Sequence, residues 1–155
     1  LDSLALYLAV VGTRKGAAEA AFSDTLAMAA HPVAGAAETL TALAQKYRLC
    51  IATNGLAAMQ AGRLSELAHL FSHVFVSETM GVIKPDAAFF ERMLEALDTS
   101  SDRCLMIGDS LSSDIAGANA VGMDCIWFNR RGAALPDGVR VKAVITELKA
   151  LLTLL

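Results

Sequence analysis

The sequence predicts an α/β protein in which a parallel sheet carries helices on both faces. Two observations point there. Short, almost continuously apolar runs of strand length recur at residues 49–52, 74–77, 104–107 and 124–128, with a weaker one at 143–145. Unbroken apolar character is what a strand covered on both faces needs. Between these runs lie longer stretches whose apolar residues return every three or four positions, the period of an amphipathic helix.

Taken in order, residues 33–46 read as a helix through Ala36, Ala37, Leu40, Leu43 and Ala44, with Pro32 suited to its first turn. Residues 56–70 repeat through Met59, Leu64 and Leu67. Residues 87–97 repeat through Phe89, Phe90, Met93, Leu94 and Leu97, with Asp86 as N-cap and Pro85 ending the loop before it. Residues 113–121 form a short helix of small residues, and 146–154 close the chain. The start reads differently. Residues 1–11 and 17–30 suggest two helices joined by 12–16, with no strand between them. Residues 1–31 are therefore expected to be a helical appendage and 32–155 the α/β core.

Composition narrows the function classes. A chain of 155 residues suits one domain, and 55% hydrophobic residues exclude intrinsic disorder. A net charge of −3 argues against a nucleic-acid binder that works through a basic face. The early apolar run at 4–11 falls well short of the ~20 residues of a membrane span. Asp2 precedes that run while Arg14 and Lys15 follow it, the reverse of a secretory signal. Cys50, Cys104 and Cys125 each sit in an apolar run without a C-x-x-C, so buried, reduced thiols and a cytoplasmic setting are expected. The first residue, Leu1, lies within an apolar pattern, which raises the expectation of further chain upstream.

Parallel sheets place ligands at the carboxyl ends of their strands. Those ends carry Thr53-Asn54-Gly55, then Ser77 and a loop with Lys84-Pro85, then Gly108-Asp109-Ser110 with Asp114, then Asn129-Arg130-Arg131-Gly132. Each alone is explained by turn or capping chemistry. Together they are a phosphoryl-transfer set. Two carboxylates five residues apart suit a hard divalent cation, Thr and a backbone amide donate to phosphoryl oxygens, and lysine neutralises charge developing there.

These segments resemble the haloacid dehalogenase superfamily of hydrolases over residues 32–155. IATNG (51–55) is similar to its threonine motif, GVIKPD (81–86) to its lysine motif and MIGDSLSSDIAGA (106–118) to its acidic motif. AVGMDCIWFNR (120–130) is similar to the strand that follows. The resemblance implies a Rossmann-like core and a two-step hydrolysis through an aspartyl-phosphate. Thr53 and the Asn54 backbone amide would bind the phosphoryl group. Lys84 would bridge nucleophile and phosphoryl oxygens, Asp109 would ligate Mg²⁺, and Asp114 would orient the metal site and Lys84, directly or through water. The family's first motif, an Asp-x-Asp that ends the first strand and supplies the nucleophile, is absent from this chain. That strand lies in the middle of the family's sheet, so a gap is expected between the strands ending at Thr53 and Asp109. The implied reading places the nucleophile upstream of Leu1 and makes residues 1–31 the end of a helical cap.

Gly108-Asp109 favours a phosphatase over metal-independent 2-haloacid dehalogenation, because phosphate charge calls for a bound cation. The flow from HPVAGAAETLTAL to VSETMGVIKPD looks most like the pyrimidine 5'-nucleotidases, so a small phosphomonoester is the expected partner. A non-catalytic interaction domain that keeps the fold is the remaining alternative. A response-regulator receiver fits poorly, since its acids precede its Thr and its Lys comes last. Smaller signals read as structural. His69 and His73 have helical spacing but no third ligand nearby, Arg130 and Arg131 are expected in solvent, and Trp127 is expected to pack in the core.

Overall fold

The computed structural model describes residues 5–8, 34–55 and 67–155. Six strands form one sheet: β1 (Ala5–Leu8), β2 (Arg48–Thr53), β3 (Phe71–Val76), β4 (Cys104–Gly108), β5 (Asp124–Phe128) and β6 (Ala143–Ile145). Their order is β3-β2-β1-β4-β5-β6 and every neighbouring pair is parallel. The chain runs outward from β1 to β3, then crosses back to β4 beside β1 and runs outward again. Such a reversal opens a crevice at the carboxyl ends of the strands.

The sheet centre corrects the sequence reading. A helix is expected over 1–11 and a gap between β2 and β4; instead β1 fills that slot, pairing Leu6 with Leu49 on one side and with Leu105 on the other. A short, wholly apolar run does not distinguish strand from buried helix by its period. A slot with unpaired backbone on both sides does, because buried N–H and C=O groups must be satisfied. The core therefore does not lack a central strand, and the appendage proposed for 1–31 does not extend through residues 5–8. The helix expected at 17–30, and Pro32, lie outside the described residues.

Alternate strand residues enter opposite cores. Cys50, Ala52, Cys104, Met106, Cys125 and Trp127 pack on the face covered by α3 (Ala87–Ala96) and α4 (Ala116–Ala120). Leu49, Leu105, Ile107, Ile126 and Phe128 pack on the face covered by α1 (Ala36–Ala44) and α5 (Leu151–Leu154). This is the two-residue period of a strand covered twice. The three cysteines are buried, as expected.

Element ends were close but not identical to expectation. Strand β3 stops at Val76, and Ser77 begins a short helix, α2 (Ser77–Met80), closed by Gly81 at φ 67°. Asp86 caps α3 by accepting from Ala88 N–H at 3.0 Å. The helix expected over 113–121 begins as a π-turn (Leu111–Ile115), since Ser110 carbonyl accepts from both Asp114 and Ile115. Residues 146–154 fold as a 3₁₀ turn (Leu148–Ala150) running into α5. Of the helix expected over 56–70, residues 56–66 lie outside the described residues and 68–70 form a 3₁₀ turn. His69 lies in that turn and His73 in β3, so the two do not share a helix face. Among the described residues no helix is long and apolar enough to cross a membrane.

Candidate active site

The site sits where β2, β3 and β4 end. Thr53, the last residue of β2, is buried, and the turn after it is tied to the end of β3. Gly55 N–H donates to Ser77 Oγ at 3.0 Å, and Ser77 Oγ donates to Gly55 carbonyl at 3.4 Å. The Asn54 side chain reaches the lysine loop. Its Nδ2 donates to Lys84 carbonyl and its Oδ1 accepts from Lys84 N–H, both at 2.9 Å. The Lys84–Pro85 peptide is cis.

Lys84 is only 5% exposed. Its Nζ donates to Ala52 carbonyl and to Asp114 Oδ1, both at 2.7 Å. An ammonium has three N–H donors, and the described residues take two of them. Burying a charge is costly unless it is paired and hydrogen-bonded, and Lys84 is both. Asp114 is just as enclosed. Its Oδ1 also accepts from Ser113 Oγ at 3.3 Å, and its Oδ2 accepts from Ser110 N–H at 3.0 Å. Room for this carboxylate over the end of β4 depends on Gly108: a Cβ there would lie 2.3 Å from Asp114 Cβ and 2.5 Å from its Oδ2.

Asp109, next along the chain, is exposed. Its carbonyl accepts from Trp127 Nε1 at 3.1 Å, so Trp127 both packs in the core and holds this turn. Partial burial of the Asp109 carboxyl, and then the Asp114 carboxylate, raise its pKa above the ordinary 3.8, while Lys84 and Arg130 draw it down. The Arg130 guanidinium lies 6.0 Å from the centre of the Phe128 ring. Asn129 anchors its loop, with Nδ2 donating to Ala133 carbonyl at 2.8 Å and Oδ1 accepting from Ala133 N–H at 3.0 Å.

All five sequence candidates (Thr53, Asn54, Lys84, Asp109 and Asp114) thus lie together at the carboxyl end of the sheet. The residue types fit a hard cation with phosphate. Asp109 offers a carboxylate beside that of Asp114, whose charge disfavours the ionised form of Asp109, a conflict a divalent cation relieves. Mg²⁺ keeps waters and takes oxygens from the substrate, so one or two protein carboxylates are enough to hold it. The oxygens of Asp114 are already engaged by Lys84, Ser113 and Ser110, which favours orientation over direct ligation.

The sequence reading placed Asn54, Ser77 and Gly108 at strand ends but missed the bonds of the Asn54 side chain and the Ser77 hydroxyl and the room that Gly108 leaves for Asp114. Thr-Asn-Gly reads as a local turn, and nothing in it names a partner thirty residues away. A cavity of about 450 Å³ lined by Asp102, Cys104, Asp124 and Lys142 lies at the opposite, amino ends of β4 and β5.

This arrangement of threonine, buried lysine and paired carboxylates on successive strand ends matches one family. A haloacid dehalogenase-like hydrolase model covers residues 8–122. The chain belongs to this family. Pyrimidine 5'-nucleotidase PynA of Streptococcus pneumoniae is 43% identical over 67% of this chain and 46% of its own length. Pyrimidine 5'-nucleotidase YjjG of Escherichia coli is 33% identical over 87% of this chain and 61% of its own length. The chain thus spans about half the length of the curated relatives it matches. The magnesium-bound structure of the putative HAD-hydrolase YfnB from Bacillus subtilis superposes with a TM-score of 0.83 at 30% identity, over 86% of this chain and 60% of that one.

Proposed function

We propose that this chain forms the core of a Mg²⁺-dependent phosphatase that hydrolyses a small phosphomonoester, with a nucleoside 5'-monophosphate as the substrate class. The observation that carries the reading is the buried Lys84 ammonium, fixed between Ala52 carbonyl and Asp114 beside Thr53. The Thr53 hydroxyl and the Asn54 backbone N–H donate to phosphoryl oxygens. Lys84 offsets the charge that builds on those oxygens and on the attacking carboxylate. Asp109, supported by Asp114, would hold Mg²⁺, which when bound neutralises phosphate charge. The magnesium-bound YfnB structure and the names of the two nucleotidases support metal and substrate class.

The family reaction calls for an attacking aspartate, but β1 holds the central slot of the sheet, and none of the described residues supplies one there. After β1 the sequence continues Ala9-Val10-Val11, with no carboxylate. Buried thiols without a C-x-x-C fit a reducing, cytoplasmic setting, and the names of the two nucleotidases support a small-molecule substrate.

A panel of nucleoside 5'-monophosphates and sugar phosphates on the intact protein tests this. Phosphate release with Mg²⁺, abolished by a chelator, is expected. No release from any phosphomonoester, or full release without a divalent cation, overturns the reading.

A further inference from the structure

We infer that the Asn54 side chain is a positioning residue that holds Lys84 in register with Thr53. Its consequence for phosphate rests on the phosphatase reading, while its geometry does not. An amide side chain presents one donor and one acceptor, and Asn54 spends them on the C=O and N–H of a single residue, Lys84, at 2.9 Å each. That is the pairing one strand makes with another, here made by a side chain across a loop. Two residues earlier, Ala52 carbonyl accepts from Lys84 Nζ at 2.7 Å. The end of β2 therefore grips Lys84 at both ends, backbone by Asn54 and ammonium by Ala52, and Thr53 lies between the two grips. With the Lys84 Cα fixed by Asn54 and two N–H groups committed to Ala52 and Asp114, the direction of the third N–H is determined. Only an asparagine fits this role without rearrangement. Aspartate would place a second acceptor against Lys84 carbonyl, and serine or alanine would lose both bonds.

The test uses the ¹⁵N-lysine-labelled chain, with K84A to assign the ammonium signal. The variants are N54A and N54D. Three quantities are measured: hydrogen exchange of the Lys84 ammonium, affinity for inorganic phosphate with Mg²⁺, and affinity for Mg²⁺ alone. N54A is expected to speed ammonium exchange about tenfold and to weaken phosphate about tenfold, the order expected from one or two neutral hydrogen bonds. Mg²⁺ affinity stays within about threefold, because Asp109 is not part of the clamp. N54D keeps the acceptor for Lys84 N–H but sets a carboxylate against Lys84 carbonyl beside the phosphate site, so it is expected to weaken phosphate at least as much as N54A and also to speed ammonium exchange.

Unchanged ammonium exchange in a folded N54A overturns the inference. Equal loss of Mg²⁺ and phosphate affinity also overturns it, since that would mark general disruption of the site. If N54A does not fold, N54D carries the test, and an N54D that also unfolds makes Asn54 a requirement of the fold and overturns the positioning role. If the parent binds no phosphate, the phosphatase reading fails, while the exchange measurement still decides the clamp.

Discussion

At Lys84 the physics of burial and the chemistry of the site coincide. The Lys84 and Asp114 side chains are 4% and 2% exposed, so removing the cation strands a carboxylate away from water. Lys84→Ala is expected to cost ~3–5 kcal/mol in urea unfolding and to lower turnover of the intact enzyme beyond that loss. Turnover equal to the parent's in the folded variant would remove Lys84 from the chemistry. Gly108→Ala tests the same carboxylate from below. Its Cβ meets Asp114 at 2.3 Å, backbone and side chain must shift, and a cost of ~1–3 kcal/mol with weakened phosphate binding is expected. A variant as stable as the parent that binds phosphate equally well would show that Asp114 does not need its present place.

At the scale of the element, helices are held by caps and by close approach. Asp86→Ala should cost ~1 kcal/mol of stability through loss of the α3 cap, read in urea unfolding. At the contact of α3 with α4, a Cβ on Gly117 would lie 2.1 Å from Phe90 Cε2, so Gly117→Ala should destabilise more than the cap loss. The reverse ranking would mean the two helices separate easily. The elements most legible in the sequence were β4 and β5, whose residues are buried almost throughout and alternate between two cores. Strand β1 was not legible as a strand, because its apolar run carries no period and only its two neighbours decide its conformation. The π-turn before α4 was equally hidden, since it arises from one carbonyl accepting two N–H groups.

For the molecule as a whole, the raised pKa of Asp109 links stability to pH and to metal. A carboxyl whose folded pKa lies above its unfolded value stabilises the fold below the unfolded pKa, and that contribution is lost as pH rises through the folded pKa. Without metal, Asp109→Asn, neutral at every pH, should therefore have a higher Tm than the parent at neutral pH. The difference should shrink on acidification and vanish below the ordinary value of 3.8. Mg²⁺ should raise the parent's Tm and not that of the variant. Equal Tm values for the two metal-free proteins at neutral pH would show that Asp109 carries no such conflict.

The sequence by itself determined the fold class, the chain order of strands β2 to β6 and the five residues at their ends. Buried strands must be apolar on both sides, and the chemistry of a parallel sheet lies just past its strands. Only the tertiary structure decided which segment takes the centre of the sheet, which donors Lys84 spends, and that Asn54 serves another loop instead of its own turn. Those outcomes depend on hydrogen bonds between residues about thirty to one hundred positions apart, and no local pattern records which distant partner a donor meets.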